Sequence, residues 1–214
     1  MFAVGGRRPA SPRAARGLAW REAAYASLDF ETTGLDYAND HIVSYGVVPI
    51  ERGRVLVGSA RHQLVRPARQ PSPRSQTVHL LRPVDLADAP DAATAAADLR
   101  AALTQRFILA WFAEVEVAFL RGLYGGTVRW WRRRVIDVRD LAIAVDEAPA
   151  GARRARGYAL GVTAERYGVP VAAPHDALDD ALVTAQLFLV LVGKLPGLPE
   201  PSVRDLVALS ALLT

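Results

Sequence analysis

Two short segments carry the residue types that metal-assisted hydrolysis requires. In Leu28-Asp-Phe-Glu-Thr-Thr-Gly34 the acids stand two residues apart in a stretch of strand-forming residues. Side chains two apart on a strand point to one side, so Asp29 and Glu31 project together while Leu28 and Phe30 face the opposite layer. Carboxylates held side by side repel and raise each other's pKa unless a cation lies between them, and hard oxygen ligands select Mg²⁺, Mn²⁺ or Ca²⁺. Thr32, Thr33 and Gly34 then turn the chain tightly where a ligand could approach the backbone. The second segment is His175-Asp-Ala-Leu-Asp-Asp180. Asp176 has the side chain of a helix N-cap, which leaves His175 in the preceding loop and Asp180 in the first turns, both within reach of one site. Taken singly, each segment also fits a plainer role: solvated acids at a strand end, or a loop histidine near a helix.

The rest of the composition limits what these residues could serve. With no cysteine in 214 residues, disulfides, thiolate metal sites, iron–sulfur clusters and cysteine nucleophiles are excluded, so any metal must be held by oxygen or imidazole. Histidine-based zinc spacing, the Gly-x-x-x-x-Gly-Lys phosphate loop and the Gly-x-Ser-x-Gly nucleophile turn are also absent. A chain 51% hydrophobic and 22% charged can bury a core of its own. Its longest apolar run, Ala181 to Gly193, is interrupted by Thr184 and Gln186 and falls short of the roughly 20 residues a bilayer requires, so no membrane partner is expected. The lack of a secretory signal and of cysteine makes the cytoplasm the expected location. The net charge of +4 resides in residues 1–20, which carry Arg7, Arg8, Arg13 and Arg16 and no acid. Beyond them, Arg52 to Arg82 holds seven arginines and Arg121 to Arg134 five, again without an acid. Such stretches suit a polyanion, and equally an ordinary solvated loop.

Positioning the candidate groups falls to a simple alternation of elements. Tyr25–Phe30, His41–Ile50 and Val55–Val65 read as strands joined by short links, hence an antiparallel meander. The four prolines of Pro67–Pro83 suggest an irregular basic connection. Helix Asp91–Leu103, strand Phe107–Trp111, helix Glu114–Leu123, strand Val135–Ile136 and helix Val138–Val145 follow, then amphipathic helices over Tyr158–Tyr167 and Leu178–Val192. The pattern predicts an α/β fold whose mixed sheet is flanked by helices. Residues 1–20 read as a flexible basic tail, a composition shared by organelle transit peptides. Residues 21–195 form the main domain, and 196–214 a proline-rich spacer with a short helix over Val203–Leu213. Trp130-Trp-Arg-Arg-Arg134 reads as a basic surface with partly packed tryptophans.

In the order and separation of its two motifs, the chain resembles the DEDDh branch of the DnaQ-like 3′-to-5′ exonucleases, the family of the DNA polymerase III proofreading subunit, ribonuclease T and oligoribonuclease. The family's first motif, Asp-x-Glu-Thr-Thr-Gly, is matched by Asp29 to Gly34, and its third, a histidine five positions before an aspartate, by His175 and Asp180. Asp40-His-Ile-Val-Ser-Tyr-Gly46 is similar to its second strand, and His79 falls where the family often has His-Gly-Ile-Thr. Ile136-Asp137 resembles its strand-then-aspartate before a helix, and Ala164-Glu-Arg-Tyr-Gly-Val-Pro170 its approach to the third motif. The middle motif departs. Where the family reads Ala-His-Asn-Ala-x-Phe-Asp, this chain has Ala110-Trp-Phe-Ala-Glu-Val-Glu116. Trp111 and Phe112 thus replace His-Asn, and Glu116 stands at the metal-coordinating aspartate, with Glu114 the competing candidate.

The resemblance implies a ribonuclease H-like fold with a five-stranded sheet over residues 21–195, and two divalent ions, Mg²⁺ or Mn²⁺, held by Asp29, Glu31, Glu116 and Asp180. The extra methylene of Glu116 favours the more tolerant Mn²⁺. It also implies His175 as general base, a role suited to an imidazole of ordinary pKa near about 6.5. Thr32, Thr33, Leu35 and His79 would border the terminal nucleotide. The substrate implied is the 3′ end of single-stranded DNA or RNA, DNA favoured, with a DNA polymerase subunit as a further partner. The altered middle motif supports an alternative, a catalytically weakened nucleic-acid-binding or polymerase-associated subunit on the same fold.

Overall fold

The computed structural model describes residues 8, 9, 12, 17–146 and 156–210. Its centre is a long antiparallel pair, β1 (Ala24–Thr32) and β2 (Ile42–Glu51), registered from Ala24 opposite Glu51 to Glu31 opposite Ser44. The other edge of β1 pairs in parallel with β5 (Phe107–Ala110), and β5 with β6 (Val135–Asp137). The outer edge of β2 carries two short strands in succession, β3 (Arg54–Val55) and β4 (Arg61–Leu64). The single strand expected over Val55–Val65 is therefore broken by a turn of 3-10 helix at Val57–Ser59, and the sheet has six strands in five positions. Pro49 explains the break. Its carbonyl accepts from Leu56 N on that edge (2.9 Å), so its missing N–H faces the same way and the ladder cannot continue past it.

The connection from β4 is more ordered than its prolines suggest. It contains α1 (Pro73–His79) and α2 (Pro83–Leu86). Ser72 caps α1 by accepting from Ser75 N (3.1 Å), and Pro73 supplies a preset φ at the first helical position. Helix α1 is tied to the β1–β2 loop through the carbonyl of Thr33, which accepts from Ser72 N (3.2 Å) and Ser75 Oγ (2.9 Å).

Alternation along the strands divides the core between two layers. On one face Ala26, Leu28 and Phe30 of β1, with Tyr45 and Val47 of β2, pack beneath α3 (Ala92–Leu103), α4 (Glu114–Tyr124) and α5 (Val128–Arg132), where Trp131 is fully buried. On the other, Tyr25, Val48, Ile50, Phe107 and Leu109 meet α6 (Val138–Val145), α7 (Leu160–Arg166), α8 (Ala177–Val192) and α9 (Val203–Leu209). Helix α9 closes this layer. Asp137 N donates to Ser210 Oγ (2.7 Å), and the helix expected to reach Leu213 ends earlier, at Leu209, with Ser210 extended as its C-cap; residues 211–214 lie outside the described residues. Most of the expected basic tail also lies outside them. Of its described positions, Pro9 is buried and accepts from Arg134 Nη1 (3.0 Å), and Trp20 packs edge-on against Phe188 with ring centroids 5.9 Å apart. Among the described residues no helix is long and apolar enough to cross a membrane.

Helix α8 reaches the sheet through Gly46. Gly46 pairs with Asp29 across β1 and β2, and cross-strand partners share a face, so its absent side chain leaves room beside Asp29 for the start of α8. A Cβ on Gly46 would lie 2.1 Å from the carbonyl oxygen of Ala177. Backbone cannot yield as a side-chain tip can. Gly46→Ala is therefore expected to destabilise the fold by about 3 kcal/mol or more in equilibrium denaturation, the upper range of overpacking. A loss below about 1 kcal/mol would show that α8 can move off the sheet freely.

Candidate active site

The parallel strands β1, β5 and β6 end at one edge of the sheet, and the chemistry-bearing side chains converge there. Asp29 and Glu31 rise from the last residues of β1 on the face covered by α8. Asp180 comes down from the first turns of α8, whose N-terminus Asp176 caps by accepting from Leu178 N and Asp179 N at 3.0 Å each. His175 precedes the cap in a left-handed conformation (φ 63°), and its amide donates to Asp180 Oδ2 (3.2 Å). Ligand atoms of Glu31, His175 and Asp180 all lie within 4.8 Å of one another.

Glu116 reaches the same edge from the opposite layer, in the first turn of α4. It is 3% exposed, and its Oε2 is shielded from solvent without a hydrogen-bond partner. What aims it is Asp137 at the end of β6. The Asp137 carboxylate accepts from Phe112 N (3.2 Å) and Ala113 N (3.1 Å) at the start of α4, and from Arg139 N (3.0 Å) in α6. One buried acid thus fixes two helices against one strand.

Burial governs the electrostatics, and the crowding of acids adds to it. Burial raises Asp29 well above the ordinary aspartate range, and the charges of Glu116, Glu31, Asp180 and Asp176 raise it further. Burial, then Asp180 and Asp176, push Glu31 up to about 8. Glu116 is raised by burial against the opposing effect of its own backbone, with Asp137 and Glu31 adding to the rise. Asp180 is pushed up to about 6, chiefly by burial, while its hydrogen bond from the His175 amide and the His175 charge pull the other way. Four carboxyl groups so placed cannot all ionise without a compensating cation. An all-oxygen set with an adjoining imidazole, one carboxylate oxygen buried and unsatisfied, fits hard divalent ions.

The Thr32–Asp40 loop leaves β1 directly after Glu31. Thr32 Oγ1 donates to Gly34 O (2.9 Å), and Asp40 braces the turn by accepting from Thr33 Oγ1 (2.7 Å) and Asp36 N (2.8 Å). A Cβ on Gly34 would lie 2.4 Å from Asp40 Oδ2 and would displace that carboxylate from its brace. Leu35 is left 66% exposed at the loop's tip. His79 ends α1 as a buried residue, its Nδ1 accepting from Leu81 N (3.0 Å). Burial holds its imidazole below the usual histidine range. Between β5 and α4, Trp111 turns inward and donates from Nε1 to Tyr158 O (3.2 Å), whereas Phe112 stays 37% exposed. Sequence reasoning located Asp40 and Asp137 without their bracing roles. For Asp137 the signal was an aspartate between a strand and a helix, the position of an N-cap.

Comparison with known proteins agrees with this architecture. The exonuclease family RNase_T matches residues 27–188, and the chain belongs to this DnaQ-like family. It is 33% identical over 175 residues to the DNA polymerase III PolC-type of Thermotoga petrophila, covering 81% of this chain and 12% of that protein. To the DNA polymerase III subunit epsilon-like protein of Rhodobacter capsulatus it is 30% identical over 193 residues, covering 89% and 26%. The chain thus spans only a minor part of these curated relatives. Among solved structures, E. coli Exonuclease I in complex with a dT13 oligonucleotide superposes with a TM-score of 0.66 at 17% identity, covering 80% of this chain and 41% of that one. Exonuclease X in complex with 5′ overhanging duplex DNA gives 0.61 at 22% identity, covering 86% and 99%. The fold is that of the ribonuclease H-like exonucleases.

Raised carboxyl pKa values make stability depend on pH in a defined direction. The folded state binds more protons than the unfolded chain above about pH 4, so the contribution of these groups is complete below that value and is lost as pH rises through the folded-state values. Those are about 6 for Asp180 and about 8 for Glu31. In EDTA, Tm is expected to fall between about pH 5 and pH 8, and Mn²⁺ to raise it more at the upper end. Glu31→Gln should flatten the fall. A Tm that is level or rising over this window in EDTA would contradict the crowding.

Proposed function

We propose that the chain is a divalent-metal-dependent 3′-to-5′ exonuclease acting on single-stranded DNA and releasing nucleoside 5′-monophosphates. The observation that carries the reading is the convergence of Asp29, Glu31, Glu116 and Asp180, drawn from β1, α4 and α8, with His175 beside them. DNA is favoured because the named relatives are DNA polymerase III proteins. A DNA polymerase subunit is the partner we assign on the same ground.

The four carboxylates would hold two Mg²⁺ or Mn²⁺ ions, which when bound supply activation of water and stabilisation of charge on the leaving oxygen. The chain's own groups then divide the remaining work. His175, carried by a loop outside the helix, accepts the proton of the attacking water as general base. The hydrogen bond from its backbone amide to Asp180 Oδ2 keeps the imidazole beside the acids. Thr32, Thr33 and Leu35 border the terminal nucleotide, with His79 packed behind them. The exposed, unpaired arginines of residues 52–82 and 121–133 attract the upstream strand, so binding weakens as salt rises, whereas Arg134 is buried and serves the fold.

A second reading, a nucleic-acid-binding or polymerase-associated subunit with little chemistry, is favoured by the replacement of His-Asn by Trp111-Phe112 and of aspartate by Glu116. Degradation of a 5′-labelled DNA oligonucleotide, with its RNA counterpart alongside, separates the two. The exonuclease predicts a ladder shortening from the 3′ end with Mn²⁺ or Mg²⁺, absent in EDTA and slowed by about 100-fold or more in Asp29→Ala, the scale of losing a group that stabilises transition-state charge. Glu116→Asp is expected to change the rate. Binding without any ladder, in wild type and Glu116→Asp alike, would establish the second reading instead.

A further inference from the structure

Phe112 occupies a backbone conformation that its side chain disfavours. At φ 61° it lies in the left-handed region, where a bulky L-residue is strained and asparagine is tolerated. The strain persists because Asp137 imposes it. Asp137 Oδ1 accepts from both Phe112 N (3.2 Å) and Arg139 N (3.0 Å), so the two residues are fixed to a single oxygen. Their side chains then meet: the Arg139 guanidinium carbon lies 4.2 Å from the centroid of the Phe112 ring. Arg139 Nε is shielded from solvent and has no hydrogen-bond partner, and the ring remains 37% exposed.

The place of this pair in the fold matters as much as its geometry. Leu109 of β5 pairs with Ser27 of β1, so the chain leaving β5 at Phe112 emerges at the edge where Asp29 and Glu31 stand, four residues before Glu116. An exposed aromatic ring stacked on a cation, held in a strained conformation beside a phosphodiester-cleaving site, has the components of a nucleotide subsite: a π-face for a base and N–H donors for a phosphate.

We infer that Phe112 and Arg139 form a stacking subsite for the substrate strand, the ring taking a base near the 3′ end and the guanidinium the adjoining phosphate. The inference rests on the exonuclease reading for its ligand and deepens it by naming the residues that grip the strand. Stacking tolerates any base, so the subsite adds affinity without sequence preference.

The test is binding of 5′-fluorescein-labelled oligo-dT by the full chain in EDTA, read by anisotropy, against the same oligonucleotide with abasic sites at its three 3′-terminal positions. Phe112→Asn suits the left-handed backbone and should leave Tm at or above wild type. It is expected to weaken binding of oligo-dT about fivefold or more, the lower range for one stacked base, while Phe112→Tyr retains it. On the abasic oligonucleotide the three proteins should bind alike. Arg139→Ala should weaken binding of both oligonucleotides and reduce the salt dependence. Wild type that discriminates between the two oligonucleotides no better than Phe112→Asn overturns the subsite. Hydrolysis of oligo-dT by wild type in Mn²⁺ reads the underlying function separately. Hydrolysis without base-dependent coupling defeats the subsite alone, whereas coupling without hydrolysis keeps it on a binding protein and defeats the exonuclease.

Discussion

Mutual repulsion among Asp29, Glu31, Glu116 and Asp180 is the constraint around which this fold is organised. Left free, four carboxylates would separate into solvent, and each is prevented from doing so by a different piece of backbone. The β1–β2 ladder fixes Asp29 and Glu31 on one face. Contact between Gly46 and the first residue of α8 brings Asp180 onto that face, and Asp137 tethers the start of α4 so that Glu116 reaches over the sheet edge. Burial, with charge repulsion added to it, raises the carboxyl pKa values. A cation of high charge relieves in the folded state what the unfolded chain never experiences, which couples metal affinity to stability.

Local features of the sequence led directly to much of this arrangement. Two-residue spacing put Asp29 and Glu31 on one face, and Asp176 was recognisable as the cap that separates loop-borne His175 from helical Asp180. The helix over Val138–Val145 follows the expected boundaries. Features that depend on distant partners were less legible. Nothing local to Glu116 reveals that it will be buried, since that follows from Asp137, twenty-odd residues later and in another strand. Strand Val55–Val65 breaks because of Pro49 on the neighbouring strand rather than because of its own residues. Helix α1 is a different case: its Ser72-Pro73 start signal was present, and the surrounding prolines and arginines obscured it.

The turn from β5 into α4 places two aromatic residues beside the acids. A position with φ near 61° suits asparagine, and Phe112 there is tolerable only because two amides and a carboxylate hold the turn. Trp111 finds a different solution, burying its ring and satisfying Nε1 at Tyr158 O. Trp111 and Phe112 thus set aromatic surface next to the acid cluster, and buried Glu116 adds an oxygen donor to it.

The claim that this crevice is built for divalent cations is tested most directly by a crystal structure determined with Mn²⁺ and a nucleoside 5′-monophosphate, using anomalous scattering to locate the ions. Anomalous peaks are expected in the space bounded by Asp29, Glu31, Glu116 and Asp180, with the phosphate between them and His175. A map with the nucleotide bound but no peak among these carboxylates would contradict it.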